Sequence, residues 1–294
     1  IMEHWLLIYN PASGGGRRAR AALDGIIEIF QRQDKFITTY RLDWATPSSI
    51  EDVLFSGRFD GVIACGGDGS VKTVGGLLAK HQSKMPFGVL PNGTCNDFAR
   101  SLGLPTNLLK CAEVLAKGRT RLVDIGVANG DYFVNTLAGG VLVNVSYSVD
   151  DNLKQKFGPL AYYLAGMGEL AKIKSFPITV TTAEGTSITT DAYLFLALNG
   201  TEAAGMSGLI KEAVMDDGKL DILMFKKTPF YDVTDTLLKL VTTANFREKC
   251  VERIRTEKCT ITCPDALSTT LDGEKGPALP LEIEMIPKAL NVLY

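Results

Sequence analysis

Residues 61–70, GVIACGGDGS, constrain the fold of this chain more than any other stretch, because an apolar run drops directly into a glycine-rich turn carrying one aspartate. Val62, Ile63 and Ala64 read as a fully buried strand, and Val71, Val74, Leu77 and Leu78 recur at helical spacing over residues 71–79. Strand, glycine turn and helix in that order present backbone N–H groups, unobstructed by Cβ atoms, at the positive end of a helix dipole. The expected ligand is a phosphate. Asp68 does not suit that ligand by itself: a carboxylate there repels phosphate unless a cation lies between them, normally Mg²⁺ when the phosphate belongs to a triphosphate. The plainer reading of Gly67-Asp68-Gly69 is a tight turn that needs positive φ.

The flanking chain repeats the unit. A strand over residues 5–9 ends in Asn10-Pro11-Ala12-Ser13-Gly14-Gly15-Gly16 and is followed by a basic helical segment over 17–32. Arg17, Arg18 and Arg20 suit phosphate oxygens, and equally suit the exposed first turn of a surface helix. Strands are expected at 36–42 and 87–90, a serine-capped helix at 48–55, and a second glycine turn at Pro91-Asn92-Gly93-Thr94-Cys95-Asn96-Asp97. This βαβα alternation argues for a parallel, doubly wound sheet whose functional turns lie at strand C-termini. From about residue 121 the pattern becomes mainly β, with two helical segments, 157–174 and 230–243, whose apolar stripes suit core packing. The domain boundary is accordingly expected at 122/123, giving domains 1–122 and 123–294, with the last strand able to return to the first domain.

Composition narrows the function. A chain of 294 residues, 46% hydrophobic and 22% charged, can bury two ordinary cores without disulfides or structural metal. A net charge of -2 and a pI near 5.8 leave no basic excess for neutralising a nucleic acid. The six scattered cysteines read as reduced thiols and imply a reducing, cytoplasmic setting. The first ten residues lack the basic and apolar regions of a signal peptide, and no run approaches the ~18 apolar residues of a spanning helix, so any membrane contact is expected to be peripheral.

Several carboxylates accompany Asp68. Asp97 follows the second glycine turn, Asp216 and Asp217 precede Gly218, and Glu274 follows Asp272-Gly273. Singly, Asp97 suits a helix N-terminus, and Asp217-Gly218 and Asp272-Gly273 are hairpin dipeptides. Together with two phosphate-type turns they offer what phosphoryl transfer needs: positioned phosphates, carboxylates for Mg²⁺ and a carboxylate near the attacking hydroxyl. The chain has no GxxxxGK[ST] loop and no HRD or DFG sequence.

Asn10-Pro11-x-Ser13-Gly14, Gly66-Gly67-Asp68-Gly69-Ser70, Pro91-x-Gly93-Thr94-x-Asn96-Asp97-Phe98-Ala99, Asp217-Gly218-x-Leu220-Asp221 and Asp272-Gly273-Glu274 resemble, in order, the motifs of the diacylglycerol kinase catalytic-domain family, its soluble bacterial lipid kinases above all. The resemblance spans essentially the whole chain. It implies an N-terminal α/β domain, a C-terminal β-sandwich domain and ATP bound in the cleft between them. Carried across by motif, Asn10, Gly66, Gly67, Asp68, Gly69, Ser70, Val71, Lys72, Gly93 and Thr94 would bind ATP, with Thr39 a contact whose surroundings align poorly. Asp68 and Asp97 would join the Mg²⁺ and water network around the phosphates. Asp217, with the carbonyls of Val214 and Lys219, would hold a structural Mg²⁺, and Glu274 would accept the proton of a lipid hydroxyl. Similar proteins commonly form homodimers, and no segment here marks an interface.

The departures are Ser70 for the usual threonine, Lys72 where asparagine is common, Gly15 where some relatives are basic, and the lack of a proline before the Asp216-Asp217-Gly218 turn. They bear on the acceptor more than on phosphotransfer. The implied activity is ATP- and Mg²⁺-dependent phosphorylation of a membrane-resident alcohol, diacylglycerol first. Sphingoid bases, monoacylglycerols, phosphatidylglycerol and polyprenols are the other acceptors, and an NAD kinase relative or a nucleotide-binding regulatory module are the rival readings.

Overall fold

The structure is a computed structural model that describes residues 2–11, 16–42, 48–140, 174–203, 210, 213–228 and 248–294. The chain divides into two compact units: residues 1–123 with 288–294, and residues 124–287.

The first unit is built on parallel strands β1 (Glu3–Tyr9), β2 (Lys35–Arg41), β3 (Gly61–Gly66) and β4 (Pro86–Pro91) in the order β2-β1-β3-β4. The last strand of the chain, β15 (Leu281–Leu293), adds its final residues beside β4, with Asn291 opposite Pro86 and Val292 opposite Phe87. All six residues of β3 are buried, as its unbroken apolar run requires in a sheet covered on both faces. Helices α1 (Gly16–Gln31), α2 (Ser48–Leu54), α3 (Asp68–Lys80), α4 (Asp97–Ser101) and α5 (Leu108–Ala116) supply the cover, α1 packing on α5 and α3 on α4. Glu51 of α2 reaches Lys80 at 3.0 Å and His81 at 2.5 Å, tying α2 to the end of α3. This is the doubly wound α/β arrangement expected from the βαβα pattern. Its switch point lies between β1 and β3, where the chain leaves β1 in one direction along the sheet and returns to β3 in the other.

Two local expectations change. Helix α3 begins at Asp68, three residues before the apolar periodicity, because its first turn is made of Asp68, Gly69 and Ser70, small residues that carry no hydrophobic signal even where, as at Ser70, they are buried. Gly67 has φ -88°, and neither it nor Gly69 is among the positive-φ residues, so the tight turn needing positive φ is not formed here. Helix α5 escaped the sequence reading, although Asn107 caps it by accepting from Lys110 N–H at 3.0 Å.

The second unit is antiparallel. Strands β7 (Thr136–Gly140), β9 (Ser187–Leu198), β8 (Phe176–Thr182), β12 (Lys258–Thr262) and the first part of β15 are neighbours in that order. The pair β10 (Leu220–Lys226) and β11 (Val251–Thr256) joins through β9. Hairpin β5 (Thr120–Ala128) with β6 (Asp131–Phe133) turns at Asn129 and Gly130, both at positive φ. Strands β13 (Thr269–Leu271) and β14 (Glu274–Lys275) form a second hairpin on β7. On β9, Phe195 and Ala197 enter one core with Phe133, Phe176, Ile222, Ile261 and Ile283, whereas Leu194, Leu196 and Leu198 enter another with Leu223, Phe225 and Val251. A strand buried on both faces must be apolar at successive positions, and Tyr193-Leu194-Phe195-Leu196-Ala197-Leu198 is. The helical segments expected at 157–174, all but Lys174, and at 230–243 lie outside the described residues, as do Ser13, Gly14 and Gly15.

Candidate functional site

In the first unit three turns that follow parallel strands interlock. Asn10, after β1, donates its N–H to the Cys65 carbonyl of β3 at 3.1 Å, and Asn92, after β4, donates its N–H to the Gly66 carbonyl at 2.9 Å. Gly66 lies against Ser70 and Asn10: a Cβ there would stand 2.7 Å from Ser70 Cβ and 3.6 Å from Asn10 Cβ. Gly67 and Gly93 meet backbone to backbone, a Cβ on Gly67 falling 3.3 Å from Gly93 Cα. The glycines therefore serve close approach rather than left-handed backbone. The left-handed residue is Asn96, at φ 54°, whose side chain brackets Gly93 by accepting from its N–H at 2.8 Å and donating to its carbonyl at 2.9 Å.

Asp68 is half-buried at the start of α3, and its Oδ1 accepts from Phe98 N–H in the first turn of α4 at 3.3 Å. Burial raises its pKa, while the amides of Phe98, Asn96 and Asp97 and its own amide act in the opposite direction. The amide dipoles at the start of α4 thus meet this carboxylate directly. Asp97 is buried beside it. Cys95, two residues before Asp97, is pushed up to about 12 by burial, then by the carboxylates of Asp97 and Asp68, with Arg100 opposing. Helix α3 carries no side-chain cap at Gly67, Thr94 is exposed, and Ser70 Oγ, almost fully buried, has no hydrogen-bond partner among the described residues. A helix N-terminus without a side-chain cap, a hydroxyl and a glycine cradle form a site that suits phosphate oxygens. Val71 is buried and Lys72 half-buried one turn further along α3. Thr39 is not drawn into this cluster. It sits exposed on β2 opposite Leu7, with the whole of β1 between it and β3, two strand spacings or about 10 Å away.

The second unit carries the other expected residues on loops anchored to one buried polar network. Asp124, fully buried, accepts from Gly218 N–H at 2.6 Å and donates its own N–H to the Met215 carbonyl at 2.6 Å. This holds the 215–218 loop that carries Asp217. Asn199 donates its side-chain amide to the carbonyls of Asp124 and Val134, each at 2.9 Å, and its backbone N–H to the Asn135 carbonyl at 2.8 Å. Asn135 reaches Thr136 Oγ1 at 3.0 Å and the Glu202 carbonyl. Asp272 then accepts from Val134, Asn135 and Thr136 N–H groups at 2.7, 2.9 and 2.8 Å.

Asp217-Gly218 is not a hairpin turn: it lies in the loop that leads into β10, with Gly218 at φ 73°. Asp217 accepts from Lys219 N–H at 2.9 Å and pairs with Arg255, while Val214 and Lys219 are exposed beside it. Asp272-Gly273 is a hairpin turn, at φ 49° and 83°, and Glu274 opens β14 opposite Leu271, half-buried. Asp124, Asn135, Asn199 and Arg255 escaped the sequence reading. The available signal was a polar residue inside or ending an apolar strand, as in Leu122-Val123-Asp124-Ile125 and Leu198-Asn199-Gly200.

The chain matches the diacylglycerol kinase catalytic domain over residues 4–128 and the YegS C-terminal NAD kinase beta sandwich-like domain over residues 135–294. It is 29% identical to a diacylglycerol kinase of Bacillus subtilis (strain 168), covering 99% of this chain and 96% of that protein. It is also 29% identical to a diacylglycerol kinase of Staphylococcus carnosus (strain TM300), covering 97% and 93%. Among solved structures, a proposed diacylglycerol kinase from Bacillus anthracis str. Sterne superposes with a TM-score of 0.83 at 27% identity, covering 99% of this chain and 95% of that one.

Proposed function

The chain belongs to the diacylglycerol kinase catalytic-domain family, and from that premise we propose that it transfers the γ-phosphoryl group of ATP to a lipid hydroxyl, diacylglycerol being the leading acceptor and phosphatidic acid the product. The observation that carries this reading is the interlock of the Gly66–Ser70 and Asn92–Asp97 turns at the ends of adjacent parallel strands, which brings the start of α3, without a side-chain cap, the buried Ser70 hydroxyl and two carboxylates into one place.

Phosphoryl transfer asks a protein mainly to position groups and stabilise charge. The amides at the start of α3, Ser70 Oγ and Thr94 take the ATP phosphates, and Asn10 completes the cradle beside Gly66. Mg²⁺, when bound, neutralises charge on the phosphate oxygens. Asp68 and Asp97 are the carboxylates that would hold it with water, and Asp217 with the Val214 and Lys219 carbonyls would hold a second, structural ion. Glu274 orients the acceptor hydroxyl and takes its proton. An alcohol is barely acidic at neutral pH, so a carboxylate gains here by orientation and late proton capture. No helix among the described residues is long and apolar enough to cross a membrane, and a lipid acceptor places the reaction at a membrane surface, with the protein peripheral to it and cytoplasmic.

The test is transfer of radiolabelled γ-phosphate from ATP, with Mg²⁺, to a panel of lipids in mixed micelles, with NAD as a soluble acceptor alongside. Label in diacylglycerol supports the reading, label in another lipid corrects the acceptor, and label only in NADP overturns it. Glu274→Gln is expected to lose most transfer and keep ATP binding; wild-type transfer by that variant ends the proton-acceptor assignment.

A further inference from the structure

Asp272 and Glu274 stand two residues apart in one motif, and the structure engages the Asp272 carboxylate with main-chain N–H groups. Both oxygens of Asp272 are taken. Oδ2 accepts from Val134 N–H at 2.7 Å, and Oδ1 accepts from Asn135 N–H at 2.9 Å and Thr136 N–H at 2.8 Å. The main chain closes the contact from the other side, Asp272 N–H donating to the Thr136 carbonyl at 2.8 Å. A carboxylate whose lone pairs already face three N–H groups is poorly placed to take a proton from an alcohol, so Asp272 does not share the role assigned to Glu274.

Its effect is on the hairpin. Strand β14 is only two residues long, and a hairpin that short does not hold its own geometry in water. Asp272 and Gly273 are its two turn residues, both at positive φ, and Leu271 faces Glu274 across it. The carboxylate of the first turn residue is therefore bolted to a segment 136 to 138 residues away in sequence, and the first residue after the turn is Glu274. The bolted segment is itself held from behind, because Asn199 donates to the Val134 carbonyl at 2.9 Å and to the Asn135 carbonyl at 2.8 Å.

We propose that Asp272 is a positioning residue for phosphoryl transfer: by clamping the 134–136 turn it sets the place of Glu274, and it touches neither substrate. This rests on the reading of Glu274 as the proton acceptor. A residue that acts only through Glu274 loses its influence on rate once Glu274 is gone, whereas a residue of general structural value does not.

The experiment measures kcat and KM for ATP, with radiolabelled ATP and dioctanoylglycerol in mixed micelles, for the wild type, Asp272→Asn, Glu274→Gln and the double variant, each with its melting temperature. Asp272→Asn replaces one acceptor oxygen with an N–H donor facing another donor. Its kcat is expected to fall about 100-fold, the scale of a misplacement near 1 Å. KM for ATP is expected to stay within about twofold, and the double variant to be no slower than Glu274→Gln alone. Wild-type kcat in Asp272→Asn beside an inactive Glu274→Gln overturns the positioning role, and so does an equal loss from Asp272→Asn in both backgrounds. Wild-type kcat in Glu274→Gln ends the proton-acceptor reading and this inference with it, a result read without any Asp272 variant. Should Asp272→Asn fail to fold, Asp272→Glu keeps the charge and shifts the oxygens by one methylene; it is expected to lose at least about tenfold in kcat, and unchanged kcat overturns the proposal.

Discussion

Gly93 faces Gly67 with no room for a side chain between them: a Cβ on Gly93 would overlap Gly67 Cα and lie 3.1 Å from Asn96 Oδ1. Contacts of this kind cannot relax cheaply, because the colliding atoms are backbone held by strands β3 and β4.

Gly93→Ala is therefore expected to separate the two turns. Overpacking of a rigid contact costs about 1–3 kcal/mol, and the same displacement should weaken ATP binding by spoiling the amide cradle. Urea unfolding and calorimetric titration with ATP check both effects. Wild-type values in the two measurements would mean that the turns tolerate separation.

Asp68→Asn tests the cost of burying the carboxylate. Because burial raises the folded-state pKa above its ordinary value of 3.8, the ionised group weighs against folding at neutral pH. The variant, measured without metal, should melt higher than wild type at pH 7. That advantage should shrink as pH falls through the raised pKa and vanish below 3.8, where wild-type Asp68 is protonated in both states. Phosphoryl transfer by the variant should be lost at every pH. A variant that melts lower at pH 7 would show that the amides of residues 96–98 more than repay the burial.

Arg255 pairs with Asp217 and comes within 4.0 Å of Asp221. On the proposal that Asp217 holds a structural Mg²⁺, the guanidinium paired with it competes with that ion for the carboxylate. In Arg255→Gln the melting temperature should rise more steeply with added Mg²⁺ than in wild type, by about 2–4 °C for each kcal/mol of added binding. Identical Mg²⁺ responses would return Asp217 to turn chemistry alone.

Asn199→Ala removes two side-chain hydrogen bonds from a site where the residue is 1% exposed, and strands the carbonyls of Asp124 and Val134. A loss of about 2–4 kcal/mol is expected from two unsatisfied buried acceptors. Because Asn199 also backs the 134–136 turn, transfer should fall with ATP affinity unchanged. Denaturant midpoints and kinetics decide.

Much of this was legible in the sequence where the signal is local. The apolar run of β3 and the Asp272-Gly273 dipeptide act through the backbone of the residues themselves, and those elements form as read. Asp217-Gly218 has the same dipeptide chemistry and made no two-residue hairpin, because β9, the antiparallel partner of β10, ends at Leu198 and residues 199–219 separate the two strands. Thr39 was legible only by analogy, and its place on the outer strand separates it from the turns at the end of β3. Helix α5 and strands β11, β13 and β14 are too short, or too evenly mixed in polarity, to stand out from periodicity.

Sequence alone determined the doubly wound first unit, the β-rich second unit and the turns that carry the candidate site, since hydrophobic period and glycine placement are properties of neighbouring residues. Tertiary structure alone decided what each carboxylate does: Asp68 meets the start of α4, Asp124 holds the Asp217 loop, Asp217 meets Arg255, and Asp272 clamps the 134–136 turn. Those assignments join residues 30 to 138 positions apart. They follow from strand order and register, which bring polar groups distant in sequence within reach of one another, several of them, Asp124 above all, in a low-dielectric interior where each must find a partner.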